Sequence, residues 1–294
     1  MDKLVSGEED LSSKFDLRKL ECLDSEKDQE MLSDIAKEFR ASGMLWLQSV
    51  FDRQLIDELM DAYLKDYAGL NDEDHHEVCQ DVGDKDRNMY TVVKRPPFDH
   101  PDLHQSSLLF PVLRSILHKK MIIQSFGIIS AKAGSQRQHL HVDHTELFEE
   151  MFGFGSFIPP YAITVVIPLV DLTEDTGTTA IWPGSHRNHA NVPTKEENVT
   201  YEHAVLPKAK TGDCVMWDFR TYHCGTPNLT KAERPLIYMT VSRRWFEDRC
   251  NYNRLRGRYP LLVSQDFLKK LDEEQKKLFQ AASIFDGYAS SGEG

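Results

Sequence analysis

This 294-residue chain lacks an excess of positive charge, a bilayer-length apolar run and any metal-type cysteine spacing. Lysine and arginine number 35 against 47 aspartates and glutamates, a formal net charge of −12. Phosphate backbones attract basic surfaces, so nucleic acid is not the expected partner. The same deficit gives no basis for docking on anionic membranes, and without a spanning run no membrane is expected. The opening MDKLVSGEEDLSSK has no apolar stretch of signal-peptide type, which sets the cytoplasm as the expected location. Cys22, Cys79, Cys214, Cys224 and Cys250 are odd in number and scattered, so reduced thiols are expected rather than a disulfide framework. Without a secretory signal, the sequons at Asn198 and Asn228 read as chance matches.

What is present describes an ordinary globular protein, 40% hydrophobic and 28% charged. A chain of this length buries most of the surface it exposes when unfolded and needs no covalent staple. Residues 1–30 are polar and read as a flexible or loosely packed lead-in; 31–294 read as one domain, with no internal repeat or composition break. Met31, Leu32, Ile35, Ala36 and Phe39 recur at helical spacing over about 27–41, closed by Gly43. A second helix is expected over 55–70, a short one over 107–118 and another over 265–281, with 71–86 as a solvated acidic loop. Strands are expected over 44–50, 89–94, 121–132, 138–144, 162–170, 178–183, 201–206, 213–219 and 235–246. Many short strands without alternating helices make the fold mainly β, a sandwich or barrel with flanking α-helices.

The stretch QHLHVDHTEL (138–147) holds three histidines and two carboxylates. On a strand, His139, His141 and Asp143 share one face, so a histidine and a carboxylate two apart can grip one ion. Two ligand sets compete. One joins His141 and Asp143 to the distant His223, in a turn after the strand 213–219. Two imidazoles and a carboxylate on one face leave positions open, as suits non-haem Fe(II). Arg234, eleven residues beyond, is a permanent planar cation able to take a dicarboxylate two-pronged. The other is cupin-like and uses His139, His141 and Glu146, but it leaves His223 and Arg234 without a role. His100, His104, His118, His189 and His203 read as ordinary surface or core residues, and His186 and Arg187 as structural. Tyr90, Lys94 and Arg95 are candidates for the border of a pocket.

QRQHLHVD, IPLVDLTEDTGTTAIWPGSHR, GDCVMWDFRTYHCGTPN and ERPLIYMTVSRRW together resemble the phytanoyl-CoA dioxygenase superfamily, from about Phe39 to Trp245. The resemblance implies a double-stranded β-helix (jelly-roll/cupin-like) and an Fe(II)- and 2-oxoglutarate-dependent dioxygenase. Such an enzyme consumes O2, releases succinate and CO2, and oxidises an unactivated C–H of a small molecule, by hydroxylation as the default. It further implies iron ligands His141, Asp143 and His223, with Arg234 on the distal carboxylate of 2-oxoglutarate. Gln138, Thr179 and Gln124 match positions that contact that cosubstrate. Thr176 stands where Asn commonly precedes the glycine, and Val166 where Trp is common. Related halogenases replace the carboxylate ligand by a small residue; Asp143 is retained, which favours oxygenation. The aromatic segment 147–160 reads equally as a glycine-hinged lid or as a core-patching loop, and hints at an apolar or ring-bearing substrate. No nucleotide-binding loop is present, so a CoA thioester is not favoured. A monomer or homodimer is expected.

Overall fold

The computed structural model describes residues 26–83, 86–144, 147, 158–195, 199–252 and 258–285. Helix α1, Glu26–Ser42, turns Leu32, Ile35, Ala36 and Phe39 to the core, and begins within the expected lead-in. It ends at Gly43, whose φ of 75° lets its N–H close on the carbonyl of Phe39. A Cβ there would lie 2.4 Å from Nδ1 of His186, so both conformation and space demand glycine. Strand β1 (Met44–Leu47) follows, then α2 (Arg53–Asp66), whose N-cap Asp52 accepts from the N–H of Gln54.

The expected acidic loop is partly a strand. Val78 and Cys79 are buried, and β2 (Cys79–Val82) pairs antiparallel with β3 (Arg87–Thr91). Next come β4 (Val93–Lys94), α3 (Asp102–Gln105), α4 (Leu109–Leu117) and the long β5 (Met121–Ala131). The remaining strands are β6 (Ala162–Pro168), β7 (Thr179–Ile181), β8 (Cys214–Asp218), β9 (His223–Gly225), β10 (Arg234–Arg243) and β11 (Leu262–Val263). The chain closes with α5 (Gln265–Lys270), α6 (Glu273–Leu278) and β12 (Ser283–Ile284). The single helix expected over 265–281 is therefore two, because Leu271 is extended and Asp272 caps the second helix.

The architecture is mostly antiparallel β. Seven strands form one sheet in the order β1-β8-β6-β10-β5-β3-β2, and β7 and β9 form a second, two-stranded layer. A small parallel set, β12-β11-β4, stands apart. Alternation divides the large sheet into two faces. Ile123, Phe126, Ile128, Ile163, Val165, Ile237, Met239 and Val241 join Phe39, Leu59, Tyr63, Leu113 and Ile116 of the helices in one apolar core. The opposite face meets β7 and β9 across a cavity. Two expected strands, 138–144 and 201–206, make only the isolated bridges His141–His223 and Ile181–Val205. Gln138 bonds to Gly225, His141 to His223 and Asp143 to Phe219, a slipping register that supports no continuous ladder.

Cys79, Cys214, Cys224 and Cys250 are free thiols, and no described helix is long and apolar enough to cross a membrane.

Candidate metal centre

Register decides which side chains reach the cavity. Across the sheet, Thr164 pairs with Trp217 and with Thr240, and Val166 with Tyr238. Leu236 pairs with Ile129, and Ala131 with both Arg234 and Arg87. All ten line a cavity of about 220 Å³, as do Met89 of β3 and Gln80 and Val82 of the edge strand β2. That volume falls below the roughly 300–1,000 Å³ of drug-sized sites.

On the far wall the 138–144 segment and β9 bring His141, Asp143 and His223 together, with one ligand atom from each within 4.8 Å of the others. His223 is not in a turn but opens β9, where its backbone bonds both ways with His141. Nε2 of His223 lies 3.6 Å from Oδ1 of Asp143, and the two imidazole rings lie 4.3 Å apart. Nδ1 of His141 faces the carbonyl of His139 at 2.8 Å, and Nδ1 of His223 faces that of Thr221 at 2.9 Å. A carbonyl only accepts, so each Nδ1 carries a proton, which leaves Nε2 as the atom each ring can offer a metal. Burial, and then the neighbouring His223, push His141 down to about 4, which keeps it neutral at pH 7. Asp143 is oriented in the same way. Its Oδ2 accepts from Oγ1 of Thr164 at 2.6 Å and from Nε1 of Trp217 at 2.9 Å, leaving Oδ1 toward the histidines. The Trp217 ring also packs 4.7 Å from that of His223. Such partners fix ligand orientation. Thr164 and Trp217 went unnoticed in the sequence, because their shared role appears only once β6 and β8 are in register.

At the other end Arg234 is 3% exposed and opens β10. Its Nη1 donates to the carbonyls of Thr176 and Thr226 at 3.1 and 3.2 Å, while its buried Nε has no partner. Gly177, at φ 75°, makes the room: a Cβ there would stand 2.4 Å from that Nη1. Burial and the nearby Arg87 push Arg234 down to about 10. Arg87, also unforeseen, is buried, bonded to Asp86 at 2.7 Å and to the carbonyl of Gln136 at 2.7 Å. Arg234 is thus a buried cation with one orphaned N–H and no carboxylate partner among the described residues, an arrangement suited to an anion.

Gln138 and Thr179 line the same cavity, and Oε1 of Gln138 accepts from the N–H of Gly225 at 3.1 Å. Gln124 does not line it. A bulge opposite Thr240 and Val241 leaves Gln124 as the extra residue of β5, and its amide is spent on Ser242 and the carbonyl of Phe246. Tyr90, Lys94 and Arg95 do not line it either; alternation on β3 sends Arg87 and Met89 there instead. Lys94 is fully buried and donates to the carbonyl of Phe98. His139 is exposed, with its ring 4.8 Å from that of His141, and it is not among the groups that converge with Asp143 and His223. Glu146 and most of the 147–160 segment lie outside the described residues. His186 is structural, its Nε2 near the carbonyl of Arg40 at 3.1 Å.

Residues 39–236, which span both ends of this site, match the family described as Phytanoyl-CoA dioxygenase (PhyH). The chain belongs to that family. As a member it is an Fe(II)- and 2-oxoglutarate-dependent dioxygenase, an oxidoreductase that uses O2. Solved structures share the fold at low identity. HygX from Streptomyces hygroscopicus, with nickel, 2-oxoglutarate and hygromycin B bound, is 17% identical with a TM-score of 0.56, covering 73% of this chain and 88% of its own. The non-heme alpha ketoglutarate dependent epimerase SnoN from nogalamycin biosynthesis is 17% identical with a TM-score of 0.52, covering 74% and 84%. The non-heme monooxygenase ThoJ, as its nickel complex, is 17% identical with a TM-score of 0.51, covering 71% and 77%.

Proposed function

We propose that this phytanoyl-CoA dioxygenase relative hydroxylates an unactivated C–H of a small metabolite, with His141, Asp143 and His223 holding the iron. The observation that carries the reading is the convergence of these three groups with their outer atoms already committed elsewhere. Two imidazoles and one carboxylate suit ferrous iron and leave sites for cosubstrate and O2. When bound, iron and 2-oxoglutarate supply oxidation by O2: one oxygen atom enters the C–H bond, and succinate and CO2 leave.

The protein's own contribution is placement. Arg234, with its free Nε, takes the distal carboxylate, and Thr179 and Gln138 border that anion. Arg87 adds positive charge nearby while Asp86 holds it in place. Thr164 and Trp217 hold Asp143 so that Oδ1 faces the iron. Val166, Leu236 and Ile129 form a dry wall that keeps water from the reacting carbon. We read the seven-stranded sheet, with the 138–144 segment, β9, β7 and Val205 as its opposing layer, as a double-stranded β-helix. The SnoN likeness keeps epimerisation as a second outcome of the same hydrogen removal. The cupin-like set is not favoured, because the His139 side chain is exposed while its carbonyl supports His141.

Anaerobic Fe(II) with 2-oxoglutarate should give a weak visible charge-transfer band in the wild type and none in an Asp143→Ala, His223→Ala double variant. A full band in that variant defeats this assignment of ligands.

A further inference from the structure

Asp248 lines the cavity, is 6% exposed and has no role in holding iron or cosubstrate. It sits in the turn that follows β10. Its Oδ1 accepts from the N–H groups of Cys250 and Asn251 at 3.0 and 3.2 Å, and its Oδ2 from the Asn251 amide at 2.8 Å. All three donors are neutral, and among the described residues no cation pairs with it. The same Asn251 amide reaches the carbonyl of Asp143 at 3.0 Å, so one side chain separates Asp248 from a proposed iron ligand. Beside it, the hydroxyl of Tyr252 donates to that of Tyr238 at 3.1 Å. Burial, with Asp248 adding to it, pushes Tyr238 up to about 12 and raises Tyr252 as well, so both phenols stay neutral.

Charge balance singles this carboxylate out. Arg87 is matched by Asp86. On the reading above, Arg234 is matched by the distal carboxylate of the cosubstrate, and Asp143 with the cosubstrate's other carboxylate by ferrous iron. Among the described residues that line the cavity, one buried negative charge is left over, at Asp248. An unpaired buried charge is costly, and an ion partner arriving with the substrate removes that cost.

We propose that the substrate is a small amine, whose protonated nitrogen pairs with Asp248. This deepens the proposed function and rests on it. The nitrogen docks between Asp248 and the Tyr238–Tyr252 pair, so the C–H offered to the metal lies within a few bonds of it. Arrival of a cation also explains why, among the described residues, the substrate end of the cavity carries phenols, an amide and a carboxylate, but no guanidinium.

The test uses the full chain loaded anaerobically with Fe(II) and 2-oxoglutarate, with butylamine, butan-1-ol and butyrate as probes in calorimetric titrations at pH 7. Butylamine is protonated there and has no lone pair for the metal. The wild type should bind it roughly tenfold more tightly than butanol, with butyrate weakest. Asp248→Asn, which keeps the turn's acceptor and loses the charge, should erase that preference while retaining the visible band. Equal binding of butanol or butyrate to the wild type, or an amine preference that survives in Asp248→Asn, overturns the proposal. The wild-type series needs no variant to fold. Lack of the band in the wild type overturns the iron and 2-oxoglutarate reading together with this one, whereas a normal band without amine preference overturns this one alone.

Discussion

Asp143 shows how one residue depends on its neighbours. A carboxylate with two free oxygens can turn or bind in two modes; here Thr164 and Trp217 hold Oδ2. Thr164→Val removes one donor at nearly constant volume, and Trp217→Phe removes the other while leaving a ring against His223. Each should weaken Fe(II) binding on the order of 10–100-fold in anaerobic titrations. Unchanged affinity in both would mean that Oδ2 is not fixed by these bonds. Arg234→Met separates the two halves of the site. It should leave Fe(II) affinity intact yet raise the 2-oxoglutarate Kd by about 100-fold, the worth of a charge-assisted pair of roughly 3 kcal/mol. A change of less than threefold would remove Arg234 from the cosubstrate site. Arg234 was visible in the sequence because it follows His223 at a family spacing. Arg87 was not, since nothing local distinguishes a buried arginine at a strand start from a surface one.

At the scale of elements, legibility followed apolar content. Strands β5, β6, β8 and β10 are nearly continuous apolar runs and could be read directly. Strand β9 is only His-Cys-Gly, and β2 sits inside an acidic stretch; β9 is a strand because β7 and His141 claim its backbone, and β2 because β3 does, which no local pattern records. The 138–144 segment erred the other way, with strand-like spacing but an interrupted ladder. Connections can be tested in the same terms. Gly43 and Gly69 both have positive φ, but a Cβ on Gly43 meets His186 and Thr221, while one on Gly69 meets nothing within 4 Å. Gly69→Ala should therefore cost only backbone strain, about 1–2 kcal/mol. Gly43→Ala should lower the urea midpoint further and weaken Fe(II) binding, because the carbonyl of Thr221 holds His223. Equal losses in the two variants would show that the His186 contact relaxes without cost.

For the whole molecule, acid is the condition that tests how its interior is built. His104 is 2% exposed, packs edge-on against Phe267 and Phe279, and leaves Nδ1 without a partner. Burial first, then the Lys94 ammonium, push it down to about 4, against smaller opposing effects from the carbonyl of His100 and from Asp99. The unfolded chain binds a proton here near pH 6.5 and the folded chain only near 4, so between those values unfolding takes up a proton. Stability therefore falls as pH drops from about 6.5 to about 4 and is flat with respect to this group outside that window. A fully buried group with this separation contributes on the order of 2–3 kcal/mol to the loss. His141, also held near 4, adds to the same slope in metal-free protein. His104→Leu takes the proton site away and leaves an apolar side chain beside the two phenylalanines. Its urea midpoint should match or exceed the wild type at pH 4.5, with a visibly shallower fall from pH 7, measured in the presence of chelator. A parallel fall in both proteins would show that His104 is already protonated in the folded state, which the apolar packing around it argues against.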